Sequence, residues 1–176
     1  MRELILYATP TGALADRCER YFERLLSDGL ATTAQTYPPH CTLTGFFHRS
    51  EDRAAEVTAE FREGLAAAGP VPSGAVEVVG LVTNDDWVGL EMRSAWLREL
   101  TENLAAAQVQ HAEEDPLRIK DWLHLSLAYG TARLGSQAML AREMIDPTAG
   151  LADTDMAWEV GLWERLADGG WVQLTQ

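Results

Sequence analysis

"WLHLSLAYG", residues 122–130, reads as a strand whose two sides are unlike. Side chains alternate faces along a strand, so Leu123, Leu125 and Leu127 turn one way into a core, while Trp122, His124, Ser126 and Ala128 turn the other. Burial alone favours leucine or valine at every position, and an imidazole two residues from a hydroxyl needs another reason. An earlier stretch, "PPHCTLTGFF" at 38–47, repeats the arrangement. Read as a strand from His40 to Phe47, it sets His40, Thr42 and Thr44 opposite Cys41, Leu43 and Gly45.

Outward from these strands the pattern alternates. Residues 3–8 read as a strand. The next stretch is an amphipathic helix with Leu14, Cys18, Tyr21, Phe22, Leu25 and Leu26 on one side and Gly29 as its stop. Glu51 to Ala68 is a second helix, with Val57, Phe61 and Leu65 inward and an acidic, solvated outer face. Pro70 and Pro72 mark a linker, and strands follow at Ala75–Thr83 and Trp87–Met92, joined by the turn signal "NDD". Ser94 is placed to cap a helix running to about Ala112; a short helix spans Ser136–Ile145; and the last segment is a hairpin around Asp168, Gly169 and Gly170.

A shift of 84 residues carries His40 onto His124, the strand at Leu4 onto the strand at Val88, and the strand near Val76 close to Trp158. Residue identities are barely shared, so the repeat is one of element order and spacing. It predicts an α+β domain over 1–176, made of two similar lobes at about 1–84 and 85–176, with terminal strands open to exchange between them.

Composition narrows the function. With 47% hydrophobic residues the chain has enough for a core, and 14 basic against 27 acidic residues give a formal charge of -13. That charge repels a nucleic-acid backbone, so a long RNA is disfavoured, whereas a small anion needs only a few local donors. Cys18 and Cys41 have no CxxC spacing, no HExxH set occurs, and neither a disulfide framework nor a metal is expected. No run reads as a membrane span or export signal, and cytoplasmic residence is the expectation.

HxT or HxS alone is a weak signal. His48 and Ser50 match it beside a helix start, and His111 has no hydroxyl partner. For either strand alone, an ordinary satisfied histidine beside a β-favouring hydroxyl is the competing reading. Equivalent positions in two matching halves raise the signal.

"HCTLTG" (40–45) and "HLSLAYG" (124–130) resemble the paired motifs of the 2H phosphoesterase superfamily. The second is especially similar to that of its cyclic phosphodiesterases, which act on 2′,3′-cyclic nucleotides or ADP-ribose cyclic phosphate. The resemblance implies a bilobal α+β fold of antiparallel sheets around a cleft, with helices outside and no metal or cofactor. It implies His40 and His124 as the catalytic pair, Thr42 and Ser126 on the phosphate, and Tyr129 lining the substrate site. The period-two count puts Tyr129 on the leucine side, so this last role requires a bulge or bend before Gly130. Trp122, on the face of His124, is a candidate to stack a base or to pack against the rim.

The residue types suit the chemistry. Opening a cyclic phosphate needs a water deprotonated on one side of phosphorus and a ribose oxygen protonated on the other. Imidazole, with a reference pKa of about 6.5, serves either role near neutrality. Hydroxyls donate to the non-bridging oxygens. The resemblance favours His124 as base and His40 as acid, and the symmetry leaves the reverse open. Arg118 and Lys120 precede the second motif, where they either offset charge near a phosphate or stand as exposed loop cations. Tyr7 lines the cleft or packs; Cys41, opposite His40, is core. Two other functions remain: an RNA 2′-5′ ligase or RNA-end phosphodiesterase, which would need a basic track, and a nucleotide-binding module without turnover.

Overall fold

The run "LILYA" lies inside β1 (Arg2–Gly12), a strand apolar on both sides: Leu4, Leu6 and Ala8 are buried on one, Ile5 and Tyr7 on the other. Such a strand needs neighbours at both edges and cover on both faces. The structure, a computed structural model, describes residues 1–108, 115–130, 132–145 and 156–175. Among them the further strands are β2 (Cys41–Thr42), β3 (Phe47–Arg49), β4 (Glu77–Thr83), β5 (Trp87–Arg93), β6 (Leu123–Tyr129), β7 (Met156–Arg165) and β8 (Trp171–Gln173). They form one antiparallel sheet in the order β4-β5-β6-β2-β1-β7-β8, with β3 also on β1. With helices α1 (Ala13–Ser27), α2 (Glu51–Ala68), α3 (Ala95–Ala107) and α4 (Leu134–Met144), the chain is α+β.

Under the 84-residue shift β1 corresponds to β5, β2 to β6 and β4 to β7. The order β4-β5-β6-β2-β1-β7 reads the same from either end under that exchange. The outer strands cross over: β4, from the first half, pairs with β5, and β7, from the second, pairs with β1. The two histidine strands meet in the middle.

All four helices pack into one core with Leu4, Leu6, Cys41, Leu43, Leu90, Leu123 and Leu125 of the sheet. The helix α1 contributes Leu14, Cys18, Tyr21, Phe22 and Leu25 and ends before Gly29, whose φ of 67° is open to glycine at little cost. Leu26 does not join them; one position off that stripe, it is 61% exposed. The helix α3 starts where expected, the Ser94 hydroxyl accepting from the Leu97 N–H at 3.0 Å while donating to the Ala75 carbonyl. Its expected continuation to Ala112, and His111, lie outside the described residues. No described helix is long and apolar enough to cross a membrane.

Two expectations about the histidine strands are corrected. His40 to Phe47 is not one strand: His40 precedes the two-residue β2, Thr44 forms an isolated bridge to Ile119, and β3 begins at Phe47. The register against β1 shifts between Tyr7↔Thr42 and Leu4↔Phe47, and inside the shift the Thr44 hydroxyl accepts from the Leu6 N–H. On β6, Ala128 does not share the face of His124. Val88 pairs with Ala128 but Gly89 with Ser126, so Leu127 is an extra residue, and Leu127 and Ala128 are both buried.

Candidate active site

Cys41 pairs with Leu125 where β2 meets β6. Carrying that antiparallel register one residue each way sets Thr42 beside His124 and His40 beside Ser126, so the four side chains interleave on the sheet face opposite the helices. Tyr7, the partner of Thr42 on β1, joins them. They open onto a cavity of about 530 Å³, lined also by Tyr37, Arg118, Lys120 and Tyr129. Its size suits a small organic ligand.

The two rings are anchored alike. The Nδ1 of His40 lies 2.7 Å from the Pro38 carbonyl, and that of His124 lies 3.3 Å from the Trp122 carbonyl. A carbonyl only accepts, so each ring carries its proton on Nδ1 and keeps Nε2 free to take one. Burial pushes the His40 pKa down from 6.5 to about 4, against the Pro38 hydrogen bond and with a further push from His124. Burial also lowers His124, opposed by the Trp122 carbonyl and assisted by the Lys120 cation. Both imidazoles are therefore neutral at neutral pH.

The surroundings differ. The ring of Tyr7, 1% exposed, lies 3.8 Å from His40 between centroids, and Tyr37 lies 5.7 Å away. Trp171 on β8 backs Tyr37 at 5.0 Å. On the other side Trp87 and Trp122 flank His124 at 5.2 and 4.2 Å. Trp122, 43% exposed, stands against the cavity-lining His124 at the rim, with its own ring outside the lining.

Trp87 is a site residue the motifs do not reveal. Its indole N–H donates to the Ser126 hydroxyl oxygen at 2.9 Å, which leaves the hydroxyl proton to point elsewhere. To reach it the indole lies across Gly89, where an added Cβ would sit 2.1 Å from the ring and 2.4 Å from the Leu125 carbonyl. The i, i+2 spacing of Trp87 and Gly89, which sets both on one face of β5 with Val88 on the other, is the sequence signal for this contact.

The Leu127 bulge turns Tyr129 toward the cavity, and a 3-10 turn at Thr33–Thr36 holds it there. The Gln35 amide donates to the Leu127 carbonyl at 2.8 Å, and the Thr32 hydroxyl accepts from the Tyr129 N–H at 3.2 Å. Main-chain groups that a bulge leaves unpaired are thus satisfied by side chains from another segment. "TTAQ" at 32–35 is a capping box readable in the sequence; what it docks against is not.

Arg118 and Lys120 belong to a segment paired to the first motif. The Gly45 N–H donates to the Arg118 carbonyl at 2.7 Å, and the Lys120 N–H to the Leu43 carbonyl at 2.9 Å. Both cations line the cavity, and no carboxylate does so among the described residues, in a chain with 27 acidic side chains. The site is a local exception to the acidic surface. Cys41 is fully buried on the opposite face, its thiol pushed up to about 12 by burial, which suits packing and not nucleophilic attack. His48 lies outside this cavity, bound to Asp115 at 2.8 Å. Among the described residues no three His, Cys, Asp or Glu side chains gather as a metal-ligand group.

No protein-family model matches this chain, and no curated protein does.

Proposed function

We propose that the protein is a cyclic phosphodiesterase, hydrolysing a 2′,3′-cyclic nucleotide or a related cyclic phosphate to a phosphomonoester with two histidines and no metal. One observation carries this reading: imidazoles from strands far apart in the chain open onto one cation-lined cavity, each with Nδ1 spent on a main-chain carbonyl and Nε2 available.

Water attacks phosphorus while one Nε2 takes its proton; the other ring, protonated, gives a proton to the departing ribose oxygen. The hydroxyls of Thr42 and Ser126 donate to the non-bridging oxygens, where charge accumulates, and the Trp87 N–H orients Ser126 for this. Because burial keeps both rings neutral near pH 7, the anionic ester supplies the field that raises an imidazole pKa and draws in the second proton. The more enclosed His40 resists protonation and suits the base, and the more open His124 suits the acid, the reverse of the order the resemblance favours. The palindromic strand order supports the two-lobed arrangement of the 2H superfamily, one lobe on each side of the β2–β6 junction.

A panel of 2′,3′-cyclic nucleotides, ADP-ribose cyclic phosphate and 2′-5′-linked oligonucleotides tests the reading. The cyclic esters are hydrolysed in excess EDTA, and kcat/KM is bell-shaped with its optimum on the acid side of pH 6.5, since burial lowers both histidines. Parent-like rates in His40→Ala and His124→Ala would end the proposal, and so would activity that EDTA abolishes and zinc restores.

A further inference from the structure

The two outer edges of the sheet are finished differently. On β4 the register against β5 shifts between Val78 and Gly80, leaving Val79 as an extra residue, and such a bulge spoils an edge for further pairing. At the opposite edge β8 covers β7 only at residues 163–165. Beyond them the Leu174 N–H donates to the Leu162 carbonyl at 2.8 Å, and the Leu162 N–H donates to the Thr175 hydroxyl at 2.9 Å. Both main-chain groups of Leu162 therefore point away from β1. Period two points those of Val160 and Trp158 the same way, and no strand among the described residues meets them. The pairing of β7 with β1 runs in unbroken register from Met156 to Arg165, so this free edge is regular.

A hollow of about 550 Å³ runs along it. Trp158, Glu159 and Val160 all line the hollow although their side chains alternate faces, which sets it on the strand edge and not on either face. Leu65 of α2, Trp96 of α3 and Val71 between them form its apolar wall. On the helix side of the sheet the edge presents Trp158 and Val160, both packed on the core, and on the other side the exposed carboxylate of Glu159. No residue lines both this hollow and the catalytic cavity.

We propose that the β7 edge at 158–160 takes an extended segment of a basic partner protein as an added strand. Main-chain hydrogen bonds to Val160 and Trp158 hold the segment, alternate apolar side chains enter the hollow, and the lysines or arginines between them face Glu159. Charge selects this occupant. Two copies paired antiparallel here would bring together chains of formal charge -13 and their Glu159 side chains, whereas a basic segment is drawn in. The edge is separate from the catalytic cavity, so the proposal does not depend on the cyclic phosphodiesterase reading.

The probe is a blocked peptide of valine–lysine repeats, set against a valine–glutamate counterpart and a form N-methylated at every amide. In calorimetry the parent binds the lysine peptide about tenfold or more tighter than the glutamate peptide, and N-methylation abolishes binding. Amide exchange slows at Val160 and Trp158, while Glu159 and Gly161, whose N–H groups face β1, are unchanged. Val160→Pro removes one outward donor and weakens the lysine peptide about fivefold or more. Glu159→Lys, an exposed change, reverses the preference, a result that stands whether or not the proline variant folds. Absence of binding, affinity that survives N-methylation, protection that falls on β4, or a preference unchanged in Glu159→Lys overturns the proposal. Sedimentation showing a dimer that Val160→Pro dissociates overturns it too, by making a second copy the occupant.

Discussion

His40 and His124 make the same hydrogen bond, from Nδ1–H to the carbonyl two residues earlier, Pro38 in one case and Trp122 in the other. Around that shared bond the two strands differ. His40 is packed beneath Tyr7 and Tyr37, and its bond is half-buried; His124 stands among Trp87, Trp122 and the Lys120 cation, and its bond is exposed. Positions that match under the 84-residue shift thus differ in how strongly their surroundings, burial first and neighbouring charge second, oppose protonation. Acid–base catalysis by like residues needs such inequality, since one ring must be neutral when the other is charged.

The largest effect that separates the two strands is on catalysis. On the proposed cyclic phosphodiesterase reading, either His→Ala substitution should lower kcat/KM on a 2′,3′-cyclic ester by about 10² to 10⁴-fold. A substrate whose leaving ribose oxygen is replaced by sulfur departs without a proton, so it restores much of the rate to His124→Ala and little to His40→Ala. Equal rescue would erase the asymmetry, and rescue of His40→Ala alone would invert it.

Next comes stability. Because His40 titrates at about 4 in the native protein and near 6.5 when unfolded, the unfolded chain takes up the proton first as pH falls. Stability is complete above pH 6.5 and is lost progressively down to about 4, by roughly 3 kcal/mol for this group. Denaturant melts of His40→Gln across that window should show a flatter acid limb than the parent. A parallel pair of curves would mean that enclosure by Tyr7 and Tyr37 does not exclude the proton.

The smallest effect concerns the hydroxyls. Ser126 receives the Trp87 N–H; Thr42 has no such donor among the described hydrogen bonds. Trp87→Phe keeps an aromatic ring beside His124 and removes the donor, and kcat should drop several-fold, the worth of one hydrogen bond of about 1 kcal/mol. With Ser126→Ala as background the same change should cost nothing further. Additive losses would show that the indole acts on His124 by packing and not through Ser126.

Several parts of this arrangement were legible in the chain. Leucines at 123, 125 and 127 against His124 and Ser126 follow from strand period, and α2 lies at Glu51–Ala68 as its apolar spacing requires. The Leu127 bulge shows where such reading stops. Alternation implies that Tyr129 faces the core, and only main-chain pairing with Gly89 and the docked turn at Thr32 and Gln35 reverses it. Trp87 stayed hidden because its role depends on an indole lying across a glycine to a neighbouring strand.

The sequence by itself determined which side chains share a face, because alternation along a strand is a local property of the backbone. It also set the tally of charges and the equivalence of the two motifs. The tertiary structure decided that β2 lies beside β6, that the outer strands cross between the halves, and that one imidazole is enclosed while the other stays open. Those outcomes depend on pairings between residues distant in the chain, whose burial and electrostatic field exist only once the sheet has closed around the cavity.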